Sequence, residues 1–268
     1  MLRGLKTEQA EVKNLRIATS YSWQVAAYAG ADTGAPDESQ PLAQSSVGQF
    51  QTNPAPPRWI EVPGVTNVRD MGGWPLEGGG RVRQGLLFRG AEMNAHCTIT
   101  PAGEDVMLDM LGIRTDIDLR GDSEDWGPVL DRQRVAYVNI PLASYDMIAS
   151  PTYTPLYRKL FKLLADAANY PVYLHCWGGA DRTGTAAFLV GALLGMRVPD
   201  LLLDYELTSL SIWGERRSDT EPFIELLQAL SLFAAEDSPL QAQVEGYLRF
   251  AGVTKSEMAA VRRLLIER

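Results

Sequence analysis

Four short apolar runs, Leu86 to Arg89, Arg114 to Leu119, Tyr137 to Leu142 and Val172 to His175, alternate with segments of helical period at Ala102 to Leu111, Pro155 to Ala168 and Thr183 to Leu194. That alternation predicts an α/β domain whose central, largely parallel sheet is flanked by helices. Four more helical patterns follow, near Pro199 to Trp213, Glu221 to Phe233, Leu240 to Phe250 and Lys255 to Glu267. The last opens on Thr254-Lys255-Ser256-Glu257, a capping box whose two side chains satisfy orphan amides at a helix start. Upstream, from about Leu15 to Thr52, apolar and polar positions alternate, as in Tyr21-Ser22-Trp23-Gln24-Val25. The pattern crosses a Gly/Asp/Pro-rich stretch and resumes at Ser45-Ser46-Val47-Gly48-Gln49-Phe50, which predicts two strands joined by a long loop. The prolines of Asn53-Pro54-Ala55-Pro56-Pro57 cannot donate to a strand ladder and make a stiff linker. A boundary placed there gives an N-terminal β segment, residues 1–53, and a main domain, residues 54–268.

Apolar residues make up 46% of the 268 positions, enough for a sizeable core. The formal net charge of −8, without a basic stripe, argues against nucleic acid as a partner. The longest apolar stretches, such as Ala186 to Leu194, fall short of the roughly 20 residues that span a bilayer, so no membrane span is expected. The opening Met1-Leu2-Arg3-Gly4-Leu5-Lys6 lacks the apolar run and cleavage site of a signal peptide. A cytoplasmic location is the default expectation, with an extracytoplasmic one open if the N-terminus is trimmed. Two cysteines, Cys97 and Cys176, and two histidines, His96 and His175, offer neither a disulfide framework nor a metal-ligand cluster. Neither a metal nor an organic cofactor is expected. Oligomeric state is not legible.

The chemistry concentrates in Val172-Tyr173-Leu174-His175-Cys176-Trp177-Gly178-Gly179-Ala180-Asp181-Arg182-Thr183-Gly184, read as strand, loop and helix. Amides of the loop and the first helical turn, at the positive end of the helix dipole, would cradle an anion, with Trp177 to Arg182 lining it. The same field favours a thiolate at Cys176, the nucleophilic form of cysteine. Arg182, six residues on, can present two parallel donors to phosphoryl oxygens. Gly178 and Gly179 let the backbone turn its amides toward the anion. The Thr183 hydroxyl is a candidate donor to the sulfur, and His175 is read as positioning the loop through its ring nitrogens.

His175-Cys176-x-x-Gly179-x-x-Arg182-Thr183-Gly184 resembles the Cys-x5-Arg signature of the protein tyrosine phosphatase superfamily. Asn67-Val68-Arg69-Asp70-Met71-Gly72-Gly73, Leu87-Phe88-Arg89-Gly90, the run from Leu111 to Asp118-Leu119-Arg120, and Asp204-Tyr205-Glu206 are similar to its bacterial, atypical tyrosine/serine branch. The similarity covers about residues 58 to 268. It implies two-step phosphomonoester hydrolysis on a phosphorylated protein or small phosphomonoester, with Asp118 and Arg120 supporting the site. Some members of that branch also hydrolyse phosphoinositides, a habit associated there with a lysine where this chain has Ala180, so that substrate is less secure here. The pattern of Leu15, Tyr21, Trp23, Val25 and Val47 to Thr52 resembles the last two strands of a fibronectin type III domain; a β-hairpin arm of the main domain is the equal alternative.

A leaving alcohol needs a proton. In the resembling branch the aspartate beside the arginine is the usual acid, which makes Asp181 the first candidate. Asp122 and Asp125, just past Arg120, are the alternatives. Trp177 either contacts substrate or packs beneath the loop. A phosphate-binding module without turnover is the competing reading from another functional class.

Overall fold

A computed structural model describes residues 9–28, 41–121, 123, 124 and 126–268. Leu15–Ala55 forms one compact unit and the remaining described chain another. In the first, β1 (Ser20–Trp23) and β4 (Gly48–Gln51) pair antiparallel, and between them β2 (Ala26–Ala27) pairs with β3 (Ala43–Gln44). Tyr21 stacks on Phe50 across the ladder at 5.6 Å, a cross-strand aromatic pair that fixes register. Residues 13 and 14 lie outside this unit: Lys13 pairs with Glu61 at 2.7 Å and Asn14 Nδ2 donates to Glu61 O at 3.0 Å.

The larger unit is built on β5 (Arg58–Trp59), β6 (Arg69–Asp70), β7 (Arg81–Val82), β8 (Leu87–Gly90), α1 (Pro101–Asp105), β9 (Thr115–Asp118), β10 (Ala136–Asn139), α2 (Thr154–Leu164), β11 (Val172–His175), α3 (Arg182–Leu194), α4 (Val198–Glu206), α5 (Glu221–Ser231), α6 (Leu240–Phe250), α7 (Lys255–Leu265) and β12 (Ile266–Glu267). Its six-stranded sheet runs in the order β10-β9-β11-β8-β6-β5. The first four strands are parallel, and β6 and β5 extend the sheet antiparallel. The mixed α/β class is the one expected. The edge pair was missed because two-residue strands carry too little alternation to register. β12 and β7 pair as a separate two-stranded sheet.

The central strand β11 is buried throughout and ends at His175, level with Asp118 of β9 and Gly90 of β8. Parallel sheets bind ligands beyond the carboxyl ends of their strands, so the loops after β8, β9 and β11 share one functional edge. α3 carries that edge's last loop into the core: every residue from Thr183 to Leu194 is buried, as expected of a helix apolar all round. It stops at Gly195, whose φ of +88° supplies the left-handed cap.

Other boundaries differ from expectation locally. The helix expected at 102–111 is α1, capped by Thr100 and continued by a wider π turn over Val106–Met110. The one expected to reach Trp213 ends at Glu206 and continues as a 3-10 turn over Leu207–Leu210. The capping box at Thr254 is present as read. Among the described residues no helix is long and apolar enough to cross a membrane.

Because α3 seats the loop, truncating its core face loosens the site along with the fold. Leu189 is fully buried, and Leu189→Ala is expected to cost about 2–5 kcal/mol of unfolding free energy, read from urea denaturation.

Candidate active site

Residues 176–181 form the loop between β11 and α3. Three of its carbonyls are held from outside. Trp177 O accepts from Glu92 N at 2.9 Å, Gly178 O from Asn67 Nδ2 at 2.8 Å, and Gly179 O from Arg89 Nη2 at 2.7 Å. A trans peptide whose carbonyl points outward directs its N–H inward, so the amides of residues 178, 179 and 180 face the hollow of the loop. With the start of α3 they make a concave set of donors suited to an anion. Gly179 has φ +66°, and a Cβ there would stand 2.2 Å from Gly90 O, so only glycine fits. Gly178 lies under the Trp213 ring, where a Cβ would also collide.

The outer motifs converge on the back of this loop. Asp204 of α4 accepts from Arg69 Nε at 2.9 Å and from Arg89 Nη1 at 2.5 Å, and Arg69 Nη1 reaches Asn67 Oδ1 at 2.6 Å. All four side chains are buried. Burial and the neighbouring Arg69 push the Arg89 guanidinium down to about 10, against the pull of Asp204. Burial opposes the Asp204 charge, yet the two arginines outweigh it and leave the carboxyl below its ordinary range. Asp70 acts one layer away, accepting from Arg58 Nη1 at 2.7 Å and from the amides of Gly72 and Gly85.

Beneath Cys176 lies a second buried set. His175 Nε2 stands 3.1 Å from Asp116 Oδ1, without the alignment of a hydrogen bond, and Nδ1 stands 3.3 Å from Cys176 O. Burial lowers the His175 pKa, but Asp116 and Asp118 overcome it and raise it above the usual value. Asp118 takes the Arg120 side chain on both oxygens, at 2.6–3.0 Å, and Tyr137 Oη at 2.9 Å. Arg120 in turn lies 5.2 Å from the Trp177 ring centroid, a cation–π contact.

Cys176 is buried. Burial lowers the Arg182 pKa, but the hydrogen bond to Glu124 and the negative charge around it prevail and raise it above the usual value. Glu124 is one of the residues that sequence reading missed. Its carboxylate takes Arg182 Nη1 at 2.6 Å and Nη2 at 3.3 Å, Trp177 Nε1 at 2.7 Å, and Gly121 N at 2.9 Å. The Arg182 bond leads in holding its pKa down to about 2. Asp122 and Asp125, the alternatives for the acid, lie outside the described residues. Thr183 Oγ1 is fully buried and has no hydrogen-bond partner among the described residues, so the expected bond to the sulfur is not made.

Asp181 sits on the other flank. Arg216 donates to it through Nε at 2.8 Å and Nη2 at 3.1 Å, and Tyr145 Oη donates to Oδ1. Burial favours the protonated form, but Arg216, Tyr145 and Arg182 prevail and hold the carboxyl below its usual range.

Residues 60–267 match the model of the tyrosine phosphatase family. The chain belongs to that family. A Cupriavidus necator protein named as a tyrosine-protein phosphatase is 30% identical over an alignment of 166 positions that covers 53% of this chain and 59% of that one. The chain thus spans about three-fifths of that relative's length. The core catalytic domain of the PP-IP phosphatase Siw14 from S. cerevisiae, in complex with citrate, covers 53% of this chain and 80% of its own at 12% identity, with a TM-score of 0.36. A second structure of the Siw14 catalytic core covers 48% and 73%, at the same identity and TM-score.

Within this tyrosine phosphatase family member the structure brings Cys176, Arg182, Asp181 and the glycines into one loop, with His175, Asp118 and Arg120 behind it. Glu124, Tyr145 and Arg216 join them from segments that carry no motif. A carboxylate four residues past Arg120, at the carboxyl end of a strand, was the one available signal for Glu124. Asp204→Asn would leave two buried guanidinium groups short of a full counter-charge, a loss expected at about 3–5 kcal/mol in chemical denaturation.

Proposed function

We propose that this chain hydrolyses phosphomonoesters through a phosphocysteine, with an aryl ester such as phosphotyrosine as the substrate. The observation that carries the reading is the loop between Cys176 and Arg182, whose carbonyls are tied outward by Glu92, Asn67 and Arg89 so that its amides face inward. Beside it runs a cleft of about 500 Å³ lined by Arg182 and Glu124 together with Leu142, Met147, Tyr153 and Leu156. Apolar side chains and a guanidinium lining one cleft suit a flat ring ending in phosphate.

In the first step the Cys176 thiolate attacks phosphorus, the P–O ester bond breaks, and the departing oxygen takes a proton from Asp181. Arg182 and the loop amides hold the three remaining phosphoryl oxygens as charge spreads over them. In the second step water attacks phosphorus, Asp181 takes its proton, and the S–P bond breaks to return the thiolate. The Glu124 carboxylate grips the Nη1 and Nη2 end of the Arg182 fork, which aims the guanidinium without using its Nε.

Cys176→Ser is expected to abolish turnover of p-nitrophenyl phosphate while inorganic phosphate still binds, since the amides survive and the nucleophile does not. More than a few per cent of residual activity would remove Cys176 from that role. A panel of phosphotyrosyl peptides, phosphoseryl peptides and inositol phosphates tests the substrate class; preference for either of the last two overturns the aryl assignment.

Asp181→Asn tests the acid. It should lower kcat for an alkyl phosphate by about 100-fold or more, and for p-nitrophenyl phosphate by much less, because nitrophenolate departs without protonation. Equal losses on both substrates would move the acid elsewhere.

A further inference from the structure

Arg216 lies in the segment between the 3-10 turn Leu207–Leu210 and α5, a stretch that no motif marks. The segment is fastened at several points. Trp213 covers Gly178 and donates from Nε1 to Thr66 Oγ1 at 2.9 Å. Arg216 N donates to Ser209 Oγ at 2.8 Å, and Ser209 Oγ donates back to Arg216 O at 3.0 Å. The guanidinium is itself braced, since Nη1 reaches Trp213 O at 3.2 Å and Glu215 O at 3.0 Å while Nε and Nη2 engage Asp181. Its pairing with Asp181 is therefore built in, unlike that of a long side chain free to swing on the surface.

From the opposite side Tyr145 makes the matching contact. Its φ is +57°, an uncommon and strained conformation for a bulky residue, and its amide is held by Thr185 Oγ1 of α3 at 3.2 Å. Its hydroxyl reaches Asp181 and lies 2.8 Å from Tyr205 Oη of α4. These groups border a cleft of about 350 Å³ that also contains Glu215 and Arg217. Arg217 is engaged by Asp219 at 2.5 Å. The charged and titratable groups around Asp181 are thus Arg216, Glu215 and Arg217 from this segment, Tyr145 and Tyr205 from two neighbouring elements, and Arg182 from its own.

We propose that Arg216 is a positioning residue for the reaction: by gripping both oxygens of Asp181 it keeps that residue a carboxylate, and so biases the enzyme toward aryl phosphates over alkyl phosphates. The inference rests on the reading of Asp181 as the proton-transfer group. Three donors aimed at one carboxylate favour its charged form, in agreement with the lowered pKa of Asp181. A carboxylate is the form required in the second step, where water must lose a proton, and the wrong form for the first. A phenol, with a pKa near 10, departs with little help, whereas an alkoxide does not. Arg216 thus supports the step common to all substrates and handicaps the step that only alkyl esters need.

The sign of the test follows. Removing Arg216 withdraws an attraction for the charged form, so Asp181 retains its proton to higher pH. In the full chain, Arg216→Met is expected to move the basic limb of kcat/KM to higher pH and to narrow the ratio of p-nitrophenyl phosphate to alkyl phosphate turnover at neutral pH by about tenfold. Arg216→Lys, which keeps a cation there, should fall between Arg216→Met and wild type. Tyr145→Phe removes one donor and should shift the limb the same way, which preserves the test if Arg216→Met fails to fold. A readout independent of turnover is the 13C carboxyl titration of Asp181 in the Cys176→Ser background, where Arg216→Met should raise its midpoint. An unmoved limb and ratio, or an unmoved midpoint, overturns the proposal while leaving the phosphatase reading intact. Turnover that survives Cys176→Ser, or an Asp181→Asn variant with no leaving-group dependence, overturns the reading and this proposal with it.

Discussion

The buried carboxylate of Asp204, shared between Arg69 and Arg89, is the contact on which the site's shape depends. Two guanidinium groups enclosed by protein would repel one another, and a single acid makes their approach tolerable. Once they are fixed, their remaining donors are committed: Arg89 turns to Gly179 O, and Arg69 orients Asn67, which takes Gly178 O. The loop amides then have one direction left. The anion cradle is in this sense the outward face of an ion pair several ångströms behind it, and the sheet, by setting β6 beside β8, brings both arginines to the same place.

Much of this was legible in the sequence. The strand-loop-helix around Cys176 stood out because its chemistry is compressed into one short stretch, and α3 because its apolar run is long. The motifs holding Asn67, Arg69, Arg89 and Asp204 were visible as motifs, but their purpose was not, since they are far apart in the chain and meet only through tertiary packing. Glu124 escaped notice between two aspartates of the same charge. Tyr145 and Arg216 escaped because neither the residue nor its neighbours form a pattern; each matters only through what the fold sets opposite it. Strands β5, β6, β7 and β12 are too short for periodicity to reveal.

The loop is bordered by two acid–arginine pairs of opposite sense. On one flank a carboxylate from outside the loop, Glu124, holds the loop's own Arg182; on the other an arginine from outside, Arg216, holds the loop's own Asp181. Each pair leaves the charge of its loop member in place while limiting where that member can point. The two pairs add no net charge at the rim, so what the loop offers an anion is its inward amides, the start of α3 and the Arg182 guanidinium instead of a broadly cationic surface. That agrees with a chain whose overall charge is negative and whose loop has Ala180 where a lysine would add a cation.

Tyr145 carries a further consequence. A glycine at that position would relax the left-handed backbone at no steric cost, and an asparagine at less cost than tyrosine; on folding energetics alone either would be an improvement. It would also remove the hydroxyl that reaches Asp181. A screen that rewards heat resistance alone would therefore drift away from tyrosine there, and the protein would gain in robustness while Asp181 lost one of its three donors.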